Sequence, residues 1–346
     1  MTRPGEAVLE VEDLRVGFPT DDGLVRAVRG VSFRLGRGEV LGIVGESGSG
    51  KSVTSLAVMG LLPGSARVSG SVRFRGTELL GTSDRELSRV RGRRISMIFQ
   101  DPMTALNPVY PVGQQIAEAI RVHHDVGRGT AREQAVELLD LVRIPNPRER
   151  AASYPHELSG GMRQRVVIAI AMANRPDVII ADEPTTALDV TVQAQILQAL
   201  ETAKQETGAA LVLITHDLGV IAGQADRVLV MYAGKLVEAG TAEDVFYAPR
   251  MPYTLGLLGS LPRLDVRTER LNPISGSPPS AVEMPPGCPF TPRCPLAQDV
   301  CDAEEPDLRP ATSTGHLAAC HFSEQLEGMA PGELFRPTAD EREASR

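Results

Sequence analysis

The run Gly45-Glu46-Ser47-Gly48-Ser49-Gly50-Lys51-Ser52 constrains this chain more than any other stretch. It follows the apolar Val40-Leu41-Gly42-Ile43-Val44 and opens a helix-like segment reaching about Leu62. A strand, a glycine-rich turn and Gly-Lys-Ser at a helix start form the context of a phosphate-binding loop. Glycines let successive N–H groups converge on an anion, and the helix adds the positive end of its dipole. In such a loop Lys51 reaches the β- and γ-phosphates and the Ser52 hydroxyl ligates Mg2+. The bland alternative is a glycine-rich turn with a surface lysine. Lysine usage argues against it: Lys51, Lys204 and Lys235 are the only three in a chain that otherwise uses arginine. A compact ammonium, not a planar fork, is wanted at position 51.

A chain of 346 residues allows a large core and suggests two domains or one with appendages. A net charge of −8 argues against general affinity for nucleic acid, although a local basic patch remains compatible with it. No apolar run approaches the roughly 18 residues that cross a bilayer, and the longest is Val166 to Ala173. The start, Met1-Thr2-Arg3-Pro4-Gly5, lacks the apolar core of a signal peptide. A cytosolic protein is expected, its four cysteines ligands rather than disulfides, and any membrane role needs other subunits.

Residues 8–18 and Val25 to Leu35 read as strands around the turn Pro19-Thr20-Asp21-Asp22-Gly23. Ser71 to Arg75 and Ile95 to Phe99 read as further strands. From about Asp101 to Asn174 the periodicity is helical, over Val112–Val122, Ala131–Val142 and Gly160–Ala173. Val178–Asp182 and Leu211–Ile214 are short buried strands with a helix from about Val190 to Glu206 between them. A hairpin is expected around Ala233-Gly234. The core is thus α/β with a parallel central sheet and a helical subdomain inserted near 101–174. Beyond about Leu261, prolines at 273, 278, 279, 285, 286, 289, 292 and 295 argue against regular structure, and a separate appendage is expected, followed from about 326 by a flexible tail.

Asp182-Glu183 ends a buried strand, where a nucleotide-binding sheet needs a carboxylate for Mg2+. Asp182 is the candidate ligand, and Glu183 the candidate group that polarises the attacking water. Two adjacent carboxylates are unfavourable unless a cation is near, which weighs against a merely solvated turn. In Leu158-Ser159-Gly160-Gly161-Met162, Ser159 is a natural N-cap and the glycines allow a close approach to a ligand. Alone this reads as a capped helix start; beside a phosphate loop it reads as a second phosphate site.

This set resembles the ATPase subunit of ABC transporters in order and spacing throughout 8–245: the loop 45–52, Gln100, the signature 158–162, Asp182-Glu183, Ala187-Leu188-Asp189 and His216. The resemblance implies a P-loop NTPase core with an N-terminal antiparallel β subdomain, covering 6–260. It implies two subunits head to tail, each ATP lying between one subunit's loop and the other's Ser159, Gly160 and Gly161. It further implies that Gln100 senses Mg2+ and the attacking water, that His216 contacts the γ-phosphate, that Asp189 couples the two sites and that Phe18 stacks on adenine. An ordinary core phenylalanine and a satisfied histidine are the bland readings of Phe18 and His216. Residues Gln100–Pro108, Tyr154–Glu157 and Thr185–Gln193 are similar to the oligopeptide/dipeptide importer subfamily, and 261–325 to its C-terminal extension. His156 and Glu157 are expected to position the signature helix.

Cys288, Cys294, Cys301 and Cys320 are spaced by six, seven and nineteen residues. Four thiolates suit tetrahedral Zn2+ or a 4Fe–4S cluster, and spacing alone leaves both open, along with unligated thiols. The subfamily resemblance favours the cluster, with Zn2+ as alternative and His316 and His321 as reserve ligands. Taken together, the resemblance implies a peripheral ATPase at the cytoplasmic face of the membrane that powers import of short peptides. Its implied partners are a paralogous ATPase, two permeases and, indirectly, an extracytoplasmic substrate-binding protein, with no nucleic acid. Nickel chelates, antimicrobial peptides or oligosaccharides are alternative cargoes. A soluble ABC ATPase acting in DNA repair or translation is the rival class, but no coiled-coil insertion or second ATPase half is seen.

Overall fold

Strands made almost wholly of apolar residues can be buried only between two layers, and the central strands of this chain are of that kind. The computed structural model describes residues 7–186, 189–261, 274–312, 315–330 and 333–335. In chain order its strands begin with β1 (Ala7–Thr20), β2 (Gly23–Gly36), β3 (Val40–Val44), β4 (Arg67–Phe74), β5 (Thr77–Glu78) and β6 (Ile95–Ile98). They continue with β7 (Val178–Asp182), β8 (Ala210–Thr215), β9 (Arg227–Tyr232), β10 (Lys235–Thr241), β11 (Arg309–Pro310) and β12 (Leu317–Ala318).

One antiparallel sheet has the order β2-β1-β4-β5, and the larger sheet runs β11-β12-β10-β9-β3-β8-β7-β6. Within the larger sheet β9, β3, β8, β7 and β6 are parallel. Side chains alternate between its faces. Val40, Val44, Ile179, Ala181, Leu211 and Leu213 join the core shared with the helices. Leu41, Ile43, Val178, Ile180, Val212 and Ile214 join the core shared with the antiparallel sheet.

The helices Val112–His123, Arg128–Leu141 and Gly160–Met172 make up the inserted helical region. Val112, Ile116 and Ile120 on the first, and Ala131, Ala135 and Leu139 on the second, recur every four residues and are buried. The strand expected from Ser71 starts earlier, at Arg67, because β4 pairs with β1 as far as Arg67 opposite Gly17. Cross-strand pairing there extends a strand that the apolar pattern alone does not reveal.

The appendage departs further from expectation. Thr291–Arg293 forms a turn of 3-10 helix, Asp299–Ala303 a short helix, and β12 joins the edge of the central sheet by pairing with β10. Phe290 is fully buried in the main core. Prolines forbid long helices, but the extended segments between them need only two residues to add an edge strand. Residues 262–273, the turn pair Ala187-Leu188 and the end of the expected tail from 336 lie outside the described residues. Among the described residues no helix is long and apolar enough to cross a membrane.

Candidate functional site

In a parallel sheet every strand delivers its carboxyl end to the same edge. The registers Val44 opposite Thr215, Asp182 opposite Ile214 and Ile98 opposite Ala181 align the ends of β3, β8, β7 and β6. The residues just beyond those ends are the loop from Gly45, then His216, Glu183 and Gln100. Four segments dispersed over the sequence therefore meet at one edge. They line a cleft of about 810 Å3 with Phe18, Lys51, Ser52, Gln100, Glu183 and His216 among its walls. Glu46, Ser47, Gly48, Ser49 and Gly50 complete its floor.

The loop's conformation explains its composition. Gly45 has φ 154°, and a Cβ there would collide with the Met231 carbonyl oxygen of β9. The helix Lys51–Val58 starts directly after Gly50, so its first N–H groups face the cleft end of the loop. The Lys51 ammonium is buried and donates to the carbonyl oxygens of Gly45 at 2.7 Å and Glu46 at 2.9 Å. Burial lowers its pKa, opposed by the carboxylates of Glu183, Asp182 and Glu46.

The Ser52 hydroxyl donates to Asp182 Oδ1 at 3.0 Å, which brings the two expected Mg2+ ligands together. Burial raises the Asp182 pKa, so this carboxylate gains from a nearby cation. A hydroxyl and a carboxylate are hard oxygen donors of the kind Mg2+ takes alongside substrate phosphates. Glu183 is the hub of the site. Its Oε2 accepts from Gln100 Nε2 at 3.2 Å and Thr186 Oγ1 at 2.8 Å, and lies 3.2 Å from His216 Nδ1. Its backbone has φ 47°, left-handed for a non-glycine residue, and is fixed by its N–H donating to the Ile214 carbonyl at 2.8 Å.

The signature residues are not in this cleft. Ser159 caps the helix Gly160–Met172 by accepting from Met162 N at 3.4 Å, and Ser159 and Gly160 are exposed. Gly161 also has a packing role: it is buried, and a Cβ there would collide with Val192. Val192 lies in the helix Val190–Thr207, whose N-cap Asp189 accepts from Val192 N at 3.0 Å. The signature helix and Asp189 thus share one contact. Arg163 ties the same helix to the preceding turn by donating to the carbonyls of Pro155 and His156, at 2.7 and 3.4 Å.

Several residues at the site carry no sequence motif. The Glu46 N–H donates to Tyr253 Oη at 2.7 Å, and Leu257 and Ala281 complete the cleft wall. Arg293 donates to both oxygens of Glu46, at 2.7 and 2.8 Å. The one sequence signal for such a partner is an acidic residue inside an anion-binding loop, which needs a counter-charge.

The extension carrying Ala281 and Arg293 is anchored elsewhere as well. Glu305 accepts from Arg29 at 2.7 Å and Lys235 at 2.8 Å. His316 and Glu238, both fully buried, meet at 2.8 Å. The four cysteines are unpaired thiols, and each lies close enough for its charge to act on the others. Burial raises the thiol pKa values of Cys288, of Cys294 to about 12 and of Cys320 to about 11. Among the described residues no three His, Cys, Asp or Glu side chains are drawn together as a single metal ion requires. The four thiols are therefore not grouped as the ligands of one Zn2+. His316 Nε2 is engaged with Glu238, and His321 Nε2 lies 3.0 Å from the Glu304 carbonyl, so each reserve ligand already has another partner.

Residues 28–186 match the family model described as ABC transporter, and 237–301 that described as oligopeptide/dipeptide transporter, C-terminal region. The oligopeptide transport ATP-binding protein OppD of Mycobacterium tuberculosis is 58% identical over 98% of this chain, which spans only 55% of that relative's length. OppD of Salmonella typhimurium is 54% identical, over 92% of this chain and 94% of its own. The dipeptide transport ATP-binding protein DppD of Bacillus subtilis is 54% identical, over 92% and 96%. Among solved structures, the dimeric ATP-binding cassette MJ0796 bound to ADP and Pi superposes with a TM-score of 0.61 at 26% identity, covering 68% of this chain and 98% of that one. The larger sheet, the antiparallel sheet and the inserted helices are accordingly those of the ABC ATPase fold. The chain belongs to the family of oligopeptide and dipeptide transport ATP-binding proteins within the ABC transporter ATPases.

Proposed function

We propose that this chain is the ATP-hydrolysing subunit of an importer of oligopeptides or dipeptides, seated at the cytoplasmic face of the membrane beneath two permeases. An extracytoplasmic binding protein would deliver the cargo. The observation that carries this reading is the convergence of the loop 45–52, Asp182, Glu183, Gln100 and His216 on one sheet edge. The relatives' names supply the cargo class.

In this reading the loop's N–H groups and Lys51 bind the phosphates, and Phe18 stacks on the adenine. Ser52 and Asp182, with Gln100, would hold Mg2+, which would supply neutralisation of phosphate charge. Glu183 accepts the proton of the attacking water, and its contacts with Thr186, Gln100 and His216 orient it for that task. His216 would then contact the γ-phosphate. Ser159, Gly160 and Gly161 lie outside the cleft, so a second ATPase is proposed to supply them in trans, as a paralogue rather than an identical copy. That the MJ0796 cassette is dimeric supports a two-subunit arrangement. Asp189 is proposed to couple the two sites. The division proposed is an ATPase domain over 6–260 with its insertion at 101–174, an extension over 261–325 and a tail from 326.

Cys288, Cys294, Cys301 and Cys320 are proposed as ligands of a 4Fe–4S cluster in a structural role. Support comes from the match of residues 237–301 to the transporter C-terminal region and from four free cysteines, a set that suits a 4Fe–4S cluster or, as the alternative, Zn2+.

The site assignment is tested by Glu183→Gln in the assembled transporter. ATP binding should persist while turnover falls by roughly 10²- to 10⁴-fold. Near-normal hydrolysis would refute Glu183 as the base.

A further inference from the structure

An anion-binding loop that carries its own carboxylate has an electrostatic problem. Glu46 lines the cleft proposed to hold a triphosphate, where an unpaired negative charge would oppose binding. Its counter-charge arrives from 247 residues away. Arg293, between Cys288 and Cys294, donates through Nη1 to Glu46 Oε2 at 2.7 Å and through Nη2 to Oε1 at 2.8 Å. This is the forked pairing that fixes geometry as well as charge. The Arg293 side chain is only 3% exposed. Its Nε donates to the Ser275 carbonyl at 3.1 Å, and its guanidinium lies 5.9 and 5.8 Å from the Tyr232 and Phe290 rings. Those rings pack on Tyr253, whose hydroxyl accepts from the Glu46 N–H. Glu46 is therefore held through side chain and backbone by one buried cluster, part of it rooted in the extension.

We infer that Arg293 is a positioning residue for the nucleotide, cancelling the Glu46 charge and locking the first turn of the phosphate loop. This rests on the reading of the cleft as the ATP site. It makes the extension a part of that site, and it distinguishes Arg293 from Glu305, which anchors the extension to Arg29 and Lys235 without touching the loop.

The test is equilibrium titration of the full chain with a fluorescent ATP analogue and Mg2+. Arg293→Ala should weaken binding about tenfold, and Arg293→Lys, which keeps charge but loses the fork, about threefold. Glu305→Ala should bind within about twofold of wild type, because it loosens docking alone. Adding Glu46→Gln to Arg293→Ala should recover most of the affinity, since the unpaired carboxylate is then gone; a purely structural arginine would show no such rescue. Unchanged binding by Arg293→Ala, an equal loss in Glu305→Ala, or failure of the rescue would each overturn the inference. Should Arg293→Ala not fold, Arg293→Lys decides, with unchanged affinity overturning it. A wild-type chain that binds no analogue would overturn both this inference and the ATP reading, whereas wild-type binding with an indifferent Arg293 overturns this inference alone.

Discussion

Gly161 shows how a residue in a functional motif can be required for packing. Its Cα faces Val192 so closely that no side chain fits, which joins the signature helix to the helix capped by Asp189. Gly161→Ala should therefore cost about 1–3 kcal/mol from overpacking, read as a fall in Tm. Val192→Ala in the same chain should restore much of the loss, and additive losses in the double variant would contradict the contact. The sequence presents Gly161 as a glycine for ligand approach at a helix start, and its packing partner Val192, about 31 positions on, is not marked there. By contrast Lys51-Ser52 and Asp182-Glu183 could be singled out in the sequence, because each pair is adjacent and an apolar strand leads into it, although nothing local shows that Ser52 meets Asp182. Glu46 was visible as part of that loop, but Tyr253 and Arg293 were not, since nothing local marks a partner 207 or 247 residues distant.

At the scale of elements, the parallel strands were legible because burial on both faces demands unbroken apolar runs such as Val40–Val44 and Val178–Ala181. The edge strand that the extension contributes was not, because β12 is two residues long and has no periodicity to read. What attaches the extension is largely polar. Burial disfavours the Glu305 carboxylate, but hydrogen bonds from Arg29 and Lys235 prevail and hold its pKa below the usual value. A depressed folded-state pKa contributes stability that is fully present above the unfolded value, about 4.3, and lost as pH falls through the folded one. Glu305→Gln should thus cost about 1–3 kcal/mol at neutral pH, with the difference from wild type shrinking in melts at pH values below about 4. A difference independent of pH would show that the ion triad contributes nothing.

At the scale of the whole molecule, the cleft holds one half of what the family resemblance implies. The loop, Gln100, Glu183 and His216 are gathered by the sheet, whereas Ser159 and Gly160 stand exposed at the start of another helix. An element order can reveal that both halves exist, but only the folded chain shows that they do not meet. The extension adds a second asymmetry, since it lends Ala281 to the cleft wall and Arg293 to the loop. A subunit of this kind should bind ATP alone but turn it over slowly until a partner contributes the missing signature. The most direct test is the steady-state rate of ATP hydrolysis per site, measured for the purified chain alone and after assembly with a partner ATPase and the permeases. Assembly should raise turnover at least about tenfold, as expected when positioned donors are added to a phosphoryl-transfer site. Equal turnover by the isolated and assembled chain would contradict a site completed in trans.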